Sequence, residues 1–262
     1  MKFVFYNMYF PSKNLPIANY LDATYLKTPS QANISSADTK KQIIALAEEA
    51  NTYNYKLVMV RPLYITLLKR TLKKSVLIGT VIDFPEGKAP VNQKLKEAKK
   101  AIDLGANELD FVVNYSAFKN GNIDLIKEEV TKGTAICLKN NKVVKWIIEV
   151  AALSNEEIIV ISRLIKQIVL DNFGEKNTKN VFVKSSTGFY KTKTNKPNGA
   201  TIENMRLIVE NAKPLKIKAA GGIKNYETAQ KFISFGVDRI GTSSAKEIVT
   251  KKENKNLNNL EY

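Results

Sequence analysis

Several charged residues in this chain interrupt stretches that otherwise read as apolar strands. Lys184 closes Val181-Phe182-Val183, and Lys218 stands near the end of Leu215 to Ala219. Asp110 lies between apolar neighbours in Glu108 to Val113. Lys145 occupies a similar place in Val143 to Val150, and Asp22 falls near the C-terminal end of Tyr20-Leu21-Asp22-Ala23-Thr24. Burial disfavours the ammonium form of lysine, so a lysine in such a position is more often chemical than structural. The alternative is a side chain that snorkels to water. Two ammonium groups brought together raise each other's energy, and one loses its proton more readily than in water. A neutral lysine amine attacks a carbonyl to form a Schiff base, whose iminium stabilises a carbanion or enamine beside it.

Turns with free hydroxyl and N–H groups accompany these strands. Ser185-Ser186-Thr187-Gly188 follows Lys184, Gly221-Gly222 follows Lys218, and Gly241-Thr242-Ser243-Ser244 comes near the end of the chain. Such turns can hold a phosphate. The chain has no histidine, which removes Ser-His-Asp triads, imidazole catalysis and the usual zinc sites. Proton transfer then falls to Asp, Glu, Lys, Tyr or water. Cys137 is the sole cysteine and can make no internal disulfide, so a reducing, cytoplasmic setting is expected. The net charge of +16 invites a nucleic-acid reading. No basic run is interleaved with stacking aromatics, however, and a positive field also gathers small phosphorylated substrates. We therefore expect no nucleic-acid partner.

The elements that position these residues repeat a strand and a helix eight times with short connections. The strands lie near Leu21, Tyr55–Val60, Ser75–Ile82, Glu108–Val113, Val143–Val150, Val181–Lys184, Leu215–Ala219 and Val237–Gly241. Ser35 with Asp38, and Ser154 with Glu157, read as capping boxes opening two of the helices. Leu95, Ala98 and Ile102 mark the apolar face of another. Eight such units in about 250 residues suggest an α/β fold of the closed (β/α)8 TIM-barrel type. A doubly wound open sheet is the alternative, but no Gly-rich fingerprint follows the first strand. In a barrel, all the strand C-termini meet at one mouth, which would collect Asp22, Asp110, Lys145, Lys184 and Lys218. One domain is expected over 1–262, with the barrel over about 17–250 and residues 251–262 as a mobile polar tail. The apolar Met1–Phe10 lacks a small-residue cleavage site and reads as an extension packed on the domain. No apolar run approaches the roughly 20 residues of a membrane helix.

Taken together, these motifs resemble the deoxyribose-phosphate aldolase family of class I aldolases over roughly Leu21 to Lys246. The likeness rests on Val183-Lys184-Ser185-Ser186-Thr187-Gly188-Phe189, Lys218-Ala219-Ala220-Gly221-Gly222-Ile223 and Glu108-Leu109-Asp110-Phe111-Val112-Val113-Asn114. Thr80-Val81-Ile82-Asp83-Phe84-Pro85-Glu86-Gly87 and Gly241-Thr242-Ser243-Ser244 add to it. The resemblance implies reversible cleavage of 2-deoxy-D-ribose 5-phosphate to acetaldehyde and glyceraldehyde 3-phosphate, with no cofactor and no metal. It makes Lys184 the Schiff-base nucleophile and Lys218 the residue that lowers its pKa while staying charged. Asp110 becomes the proton relay, Lys145 its electrostatic support, and Asp22 a contact to a substrate hydroxyl. Gly188, Gly221, Gly222, Ser243 and Ser244 would hold the 5-phosphate. A homodimer is compatible with this reading.

The chain departs from the family pattern in four places. Met59 and Arg61 replace a cysteine and an uncharged polar residue, and Val150-Ala151 follows Glu149 where a hydroxyl residue is usual. An insertion, Tyr190 to Pro197, carries Lys191, Lys193 and Lys196. It reads as a solvated loop or as extra phosphate attraction. Tyr262 ends a tail that could fold over the barrel mouth. Two other functions stay open on the residues alone: a lysine-dependent aldolase for another phosphorylated sugar or keto acid, and a basic barrel that binds a macromolecule without catalysis.

Overall fold

A computed structural model describes residues 15–192 and 197–257, with side chains described as far as Lys251. Eight parallel strands close on themselves in chain order: β1 (Leu21–Tyr25), β2 (Leu57–Val60), β3 (Leu77–Ile82), β4 (Glu108–Val112), β5 (Val143–Ile147), β6 (Val181–Lys184), β7 (Lys216–Ala220) and β8 (Arg239–Thr242). The ring shuts where Asp22 of β1 pairs in register with Gly241 of β8. Each strand is followed by a main helix: α1 (Ser36–Tyr53), α2 (Ile65–Thr71), α3 (Val91–Leu104), α4 (Ile123–Lys139), α5 (Asn155–Phe173), α6 (Ile202–Ala212), α7 (Tyr226–Ser234) and α8 (Ala245–Leu257). The expected (β/α)8 barrel is the observed one, and the open-sheet alternative falls with the β1–β8 pairing.

Local signals account for most boundaries. At α5, Ser154 accepts from the Glu157 N–H while Glu157 accepts from the Ser154 N–H, a complete capping box. At α1 only half of the expected box forms. Ser35 accepts from the Asp38 N–H, but the shorter Asp38 side chain takes the Ser35 hydroxyl at 2.7 Å instead of the cap N–H. Strand β5 stops at Ile147, short of the expected Val150. Glu149 there adopts the left-handed region (φ 56°), and Val150–Ala152 turns as a 3-10 helix. Helix α8 runs on through Leu257 into the stretch expected as a polar tail, and Lys251 pairs with Glu227 of α7 at 3.0 Å. Tyr262 and Met1–Phe10 lie outside the described residues.

The main apolar core lies between the sheet and the helices, and Cys137 of α4 is fully buried in it. Burial pushes the Cys137 thiol up to about 12. The barrel interior is divided by chemistry. On one side Leu57, Met59 and Val81 cluster with Leu26, and Gly79 makes room for them. A Cβ on Gly79 would stand 2.6 Å from Met59 Cε and 2.7 Å from Leu57 Cδ2. On the other side the interior is ionic, and it contains every strand residue singled out above.

A second buried ionic group fixes the loop after β3. The α3 pattern reads Lys94 as polar surface, yet it is 2 % exposed. Its ammonium donates to the carbonyls of Gly87 (3.0 Å) and Val112 (2.8 Å) and to Glu129 (2.7 Å), with Asp83 at 3.4 Å. Those bonds satisfy the charge that burial would otherwise penalise. They also tie the loop to β4 and α4 beside the barrel mouth.

Candidate active site

Register brings the basic residues together. Lys184, the last residue of β6, is paired with Lys218 of β7, and Asp110 of β4 is paired with Lys145 of β5. Across the barrel, Lys184 Nζ and Lys218 Nζ each lie 2.8 Å from the same oxygen, Asp110 Oδ2. The two amines are therefore within twice that distance of each other. Lys145 holds the other oxygen, Asp110 Oδ1, at 2.8 Å and Glu108 Oε2 at 2.6 Å. Lys218 also meets Asp22 Oδ2 at 2.6 Å. All five residues proposed from sequence are buried in one contiguous group.

Their depths differ from expectation. Asp22 is the second residue of β1, not near its C-terminal end, and it does not line the cavity at the mouth. Its carboxylate faces Arg239 and Lys218, so contact with a substrate hydroxyl is not what this geometry offers. Asp110 and Lys145 are likewise sealed beneath the cavity, while Lys184 and Lys218 line it.

Burial is the main force on Lys184 and pulls its ammonium down to about 8. Asp110 works against this by holding the proton on, and Lys218 and then Lys145 add to the lowering. Repulsion from Lys218 contributes as expected, and desolvation leads. Asp110 itself resists the upward pull of burial because Lys145, Lys184 and Lys218 hold its carboxyl well below the usual range. Burial would also lower Lys145, but Asp110, Glu108 and Asp22 outweigh it and keep its ammonium above its ordinary value.

The cavity over the two lysines has a volume of about 760 Å³. Gly188, Gly221, Gly222 and Ser243 line it together with Lys27 and Lys224. Gly221 is required by space as well as by its φ of +94°, since a Cβ there would meet Gly199 Cα at 2.7 Å. Helix α8 begins at Ala245, just beyond Ser243, and directs its positive end towards this wall. These features suit an anionic group. Ser244 departs from the expectation. It does not line the cavity, and its N–H donates to Thr242 Oγ1 at 2.9 Å.

Of the three hydroxyls after Lys184, those of Ser185 and Thr187 are committed elsewhere. Ser185 Oγ donates to the Ala220 carbonyl and accepts from the Ala220 N–H, both at 2.9 Å, locking β6 to β7. Thr187 gives its N–H and its hydroxyl to Glu149 Oε2. Glu149 is buried, and desolvation raises its pKa. Lys191 of the insertion lines a neighbouring cleft with Glu86, Lys88 and Tyr115, not the lysine cavity. Lys193 and Lys196 lie outside the described residues.

Sequence reasoning missed Glu108, Glu149 and Arg239. The criterion that found Lys184, a charge inside an apolar strand, applies equally to Glu108 and to Arg239 in Arg239-Ile240-Gly241. Glu149, between Ile148 and Val150 in the expected Val143–Val150 strand, carries the same signal, and only its partner Thr187 had to come from the fold.

A closed parallel barrel with a readily deprotonated lysine on the wall of an anion-accepting cavity defines an architecture suited to class I aldolases. The family model described as DeoC/LacD family aldolase matches residues 18–251. The chain belongs to that family. It is 38% identical over 239 residues to the deoxyribose-phosphate aldolase of Thermococcus gammatolerans, covering 90% of this chain and 96% of the relative. It is 37% identical over 238 residues to that of Clostridium kluyveri, covering 90% and 98%. Among solved structures, the tetrameric deoxyribose phosphate aldolase of Aeropyrum pernix superposes with a TM-score of 0.73 at 28% identity, over 90% of this chain and 91% of that one.

Proposed function

We infer that this chain catalyses the reversible cleavage of 2-deoxy-D-ribose 5-phosphate to acetaldehyde and D-glyceraldehyde 3-phosphate, with Lys184 as the nucleophile. The observation that carries this reading is the sharing of one Asp110 oxygen by two lysines, both on the cavity wall. The neutral Lys184 amine adds to the C1 aldehyde, and uptake of a proton by the carbinolamine hydroxyl with loss of water leaves an iminium. The C2–C3 bond then breaks: its electron pair enters the iminium to give an enamine, and the C3 hydroxyl loses its proton. Protonation of the enamine at C2 and hydrolysis release acetaldehyde and restore the amine.

Lys218 is the group placed to exchange those protons, because it lines the cavity and also bonds to Asp110 and Asp22. Asp110, sealed from the cavity, acts through the lysines and not on the substrate directly. Lys145 and Asp22 hold Asp110 and Lys218 in place. The 5-phosphate lies against Gly188, Gly221, Gly222 and Ser243, where the rim lysines Lys27 and Lys224 add positive charge. In this reading the barrel over about 17–250 acts as one cytoplasmic domain, and a second copy joins it as a homodimer. Among the described residues no helix is long and apolar enough to cross a membrane.

The test is borohydride reduction in the presence of deoxyribose 5-phosphate, followed by peptide mass spectrometry. Lys184 should carry a reduced two-carbon or five-carbon adduct. A modification on another lysine, or trapping of a ketone donor in preference to acetaldehyde, would reject the assignment. Light scattering of the purified chain tests the dimer.

A further inference from the structure

Below the cavity the interior charges form one connected set that extends beyond the residues given roles above. Arg239, the first residue of β8, donates Nε to Asp22 Oδ1 at 2.7 Å and Nη2 to Glu108 Oε2 at 2.6 Å. The same Glu108 oxygen is 2.6 Å from Lys145 Nζ. Through Lys145, Asp110, Asp22 and Lys218, close ion pairs run unbroken from Arg239 to Lys184. Every member is buried. The set holds four basic side chains (Lys145, Lys184, Lys218 and Arg239) and three carboxylates (Asp22, Glu108 and Asp110).

The surroundings add little to this count. Strands β2 and β3 face the interior with Leu57, Met59 and Val81, placed there by their register with Asp22 and Asp110. Glu149 also acts on Lys184 but forms no ion pair with this set; its Oε2 accepts from the Thr187 N–H, and burial favours its neutral carboxyl, so it is left out of the count. With every member ionised the set carries one excess positive charge, which is costly in a dry interior. The cheapest way to remove it is to deprotonate the least compensated cation. Arg239 meets two carboxylates, as do Lys145 and Lys218 at close range, whereas Lys184 meets only Asp110.

We propose that Arg239 and Glu108 are positioning residues that fix this charge balance, so that the barrel interior is neutral when Lys184 is an uncharged amine. Neither touches the cavity. They act on the nucleophile by setting how many charges lie beneath it. The proposal rests on the functional reading given above, and its test separates the two.

The rate at which acetaldehyde is reductively trapped on Lys184 is measured against pH in the full chain. Arg239→Met removes a cation, which lets Lys184 keep its proton. The midpoint of trapping should rise by about one pH unit, with roughly tenfold less trapping at pH 7. Arg239→Lys keeps the charge and should keep the midpoint. Glu108→Gln removes an anion and should move the midpoint the other way, and the double variant Arg239→Met/Glu108→Gln should return it to the starting value. A purely structural role would lower trapping in both single variants without opposite shifts. Shifts in one direction, or none, with trapping intact in the unaltered chain, would overturn the proposal alone. An unaltered chain that traps nothing would overturn the functional reading and this proposal with it. If Arg239→Met does not fold, Arg239→Lys and Glu108→Gln still decide the question, since only the second should move the midpoint.

Discussion

Replacing Lys218 with methionine tests the electrostatics of the nucleophile most directly. In the unaltered chain Lys184 has a pKa of about 8. At pH 7 about one-tenth of it is the neutral amine, and imine formation should climb with pH to a plateau above 8. Lys218→Met has two effects on Lys184, and both favour the protonated form. It removes a positive charge within two hydrogen-bond lengths, and it leaves Asp110 Oδ2 to Lys184 alone. A unit charge about 5 Å away in a medium of effective dielectric near 20 contributes about 3 kcal/mol, or about two pH units. The neutral fraction at pH 7 should then fall about 100-fold, and the trapping rate with it. Because the loss reflects protonation, much of it should be recovered at about pH 10. Rapid-quench borohydride trapping of acetaldehyde, followed by intact-protein mass spectrometry from pH 6 to 10, isolates this step from later proton transfers. A variant that traps as fast at pH 7 as the unaltered chain, or loses trapping equally at every pH, would refute the idea that Lys218 helps to discharge Lys184.

Lys184→Leu should abolish trapping at every pH while circular dichroism stays native, and any adduct on Lys218 in that variant would reassign the nucleophile. Gly221→Ala forces a side chain against Gly199 at a positive φ that costs about 1–2 kcal/mol in non-glycine residues. It should raise KM for the phosphorylated sugar about tenfold and leave trapping of unphosphorylated acetaldehyde nearly unchanged, as steady-state and trapping assays would report. Lys94→Met strands the buried Glu129 carboxylate and should cost about 3–5 kcal/mol in urea denaturation. A loss below about 1 kcal/mol would mean that this ionic group does not secure the loop after β3.

Periodicity was enough to read the barrel, because eight strands and eight helices each bury a stripe that the chain spells out. It was also enough to find Lys184, Lys218, Asp110 and Lys145, since charge inside Val, Ile and Phe runs is conspicuous. What could not be read was depth. Asp22 and Lys184 look alike as strand residues, yet one lies beneath the other by a layer that depends on the register of β1 against β8. Lys94 looks like an exposed helix lysine, and only the packing of α3 against β4 and α4 turns it inward. The hydroxyls after Lys184 suited a phosphate by type. The fold spends Ser185 on β7 and Thr187 on Glu149, whose partners are distant in sequence.

The placement of Cys137 bears on how the molecule withstands its own chemistry. Small aldehydes add to exposed nucleophiles such as thiols, and this chain has no histidine and a single sulfhydryl, walled off in the core with its proton firmly held. In concentrated acetaldehyde, the attackable side chains are its amines. Inactivation under those conditions should therefore follow lysine chemistry.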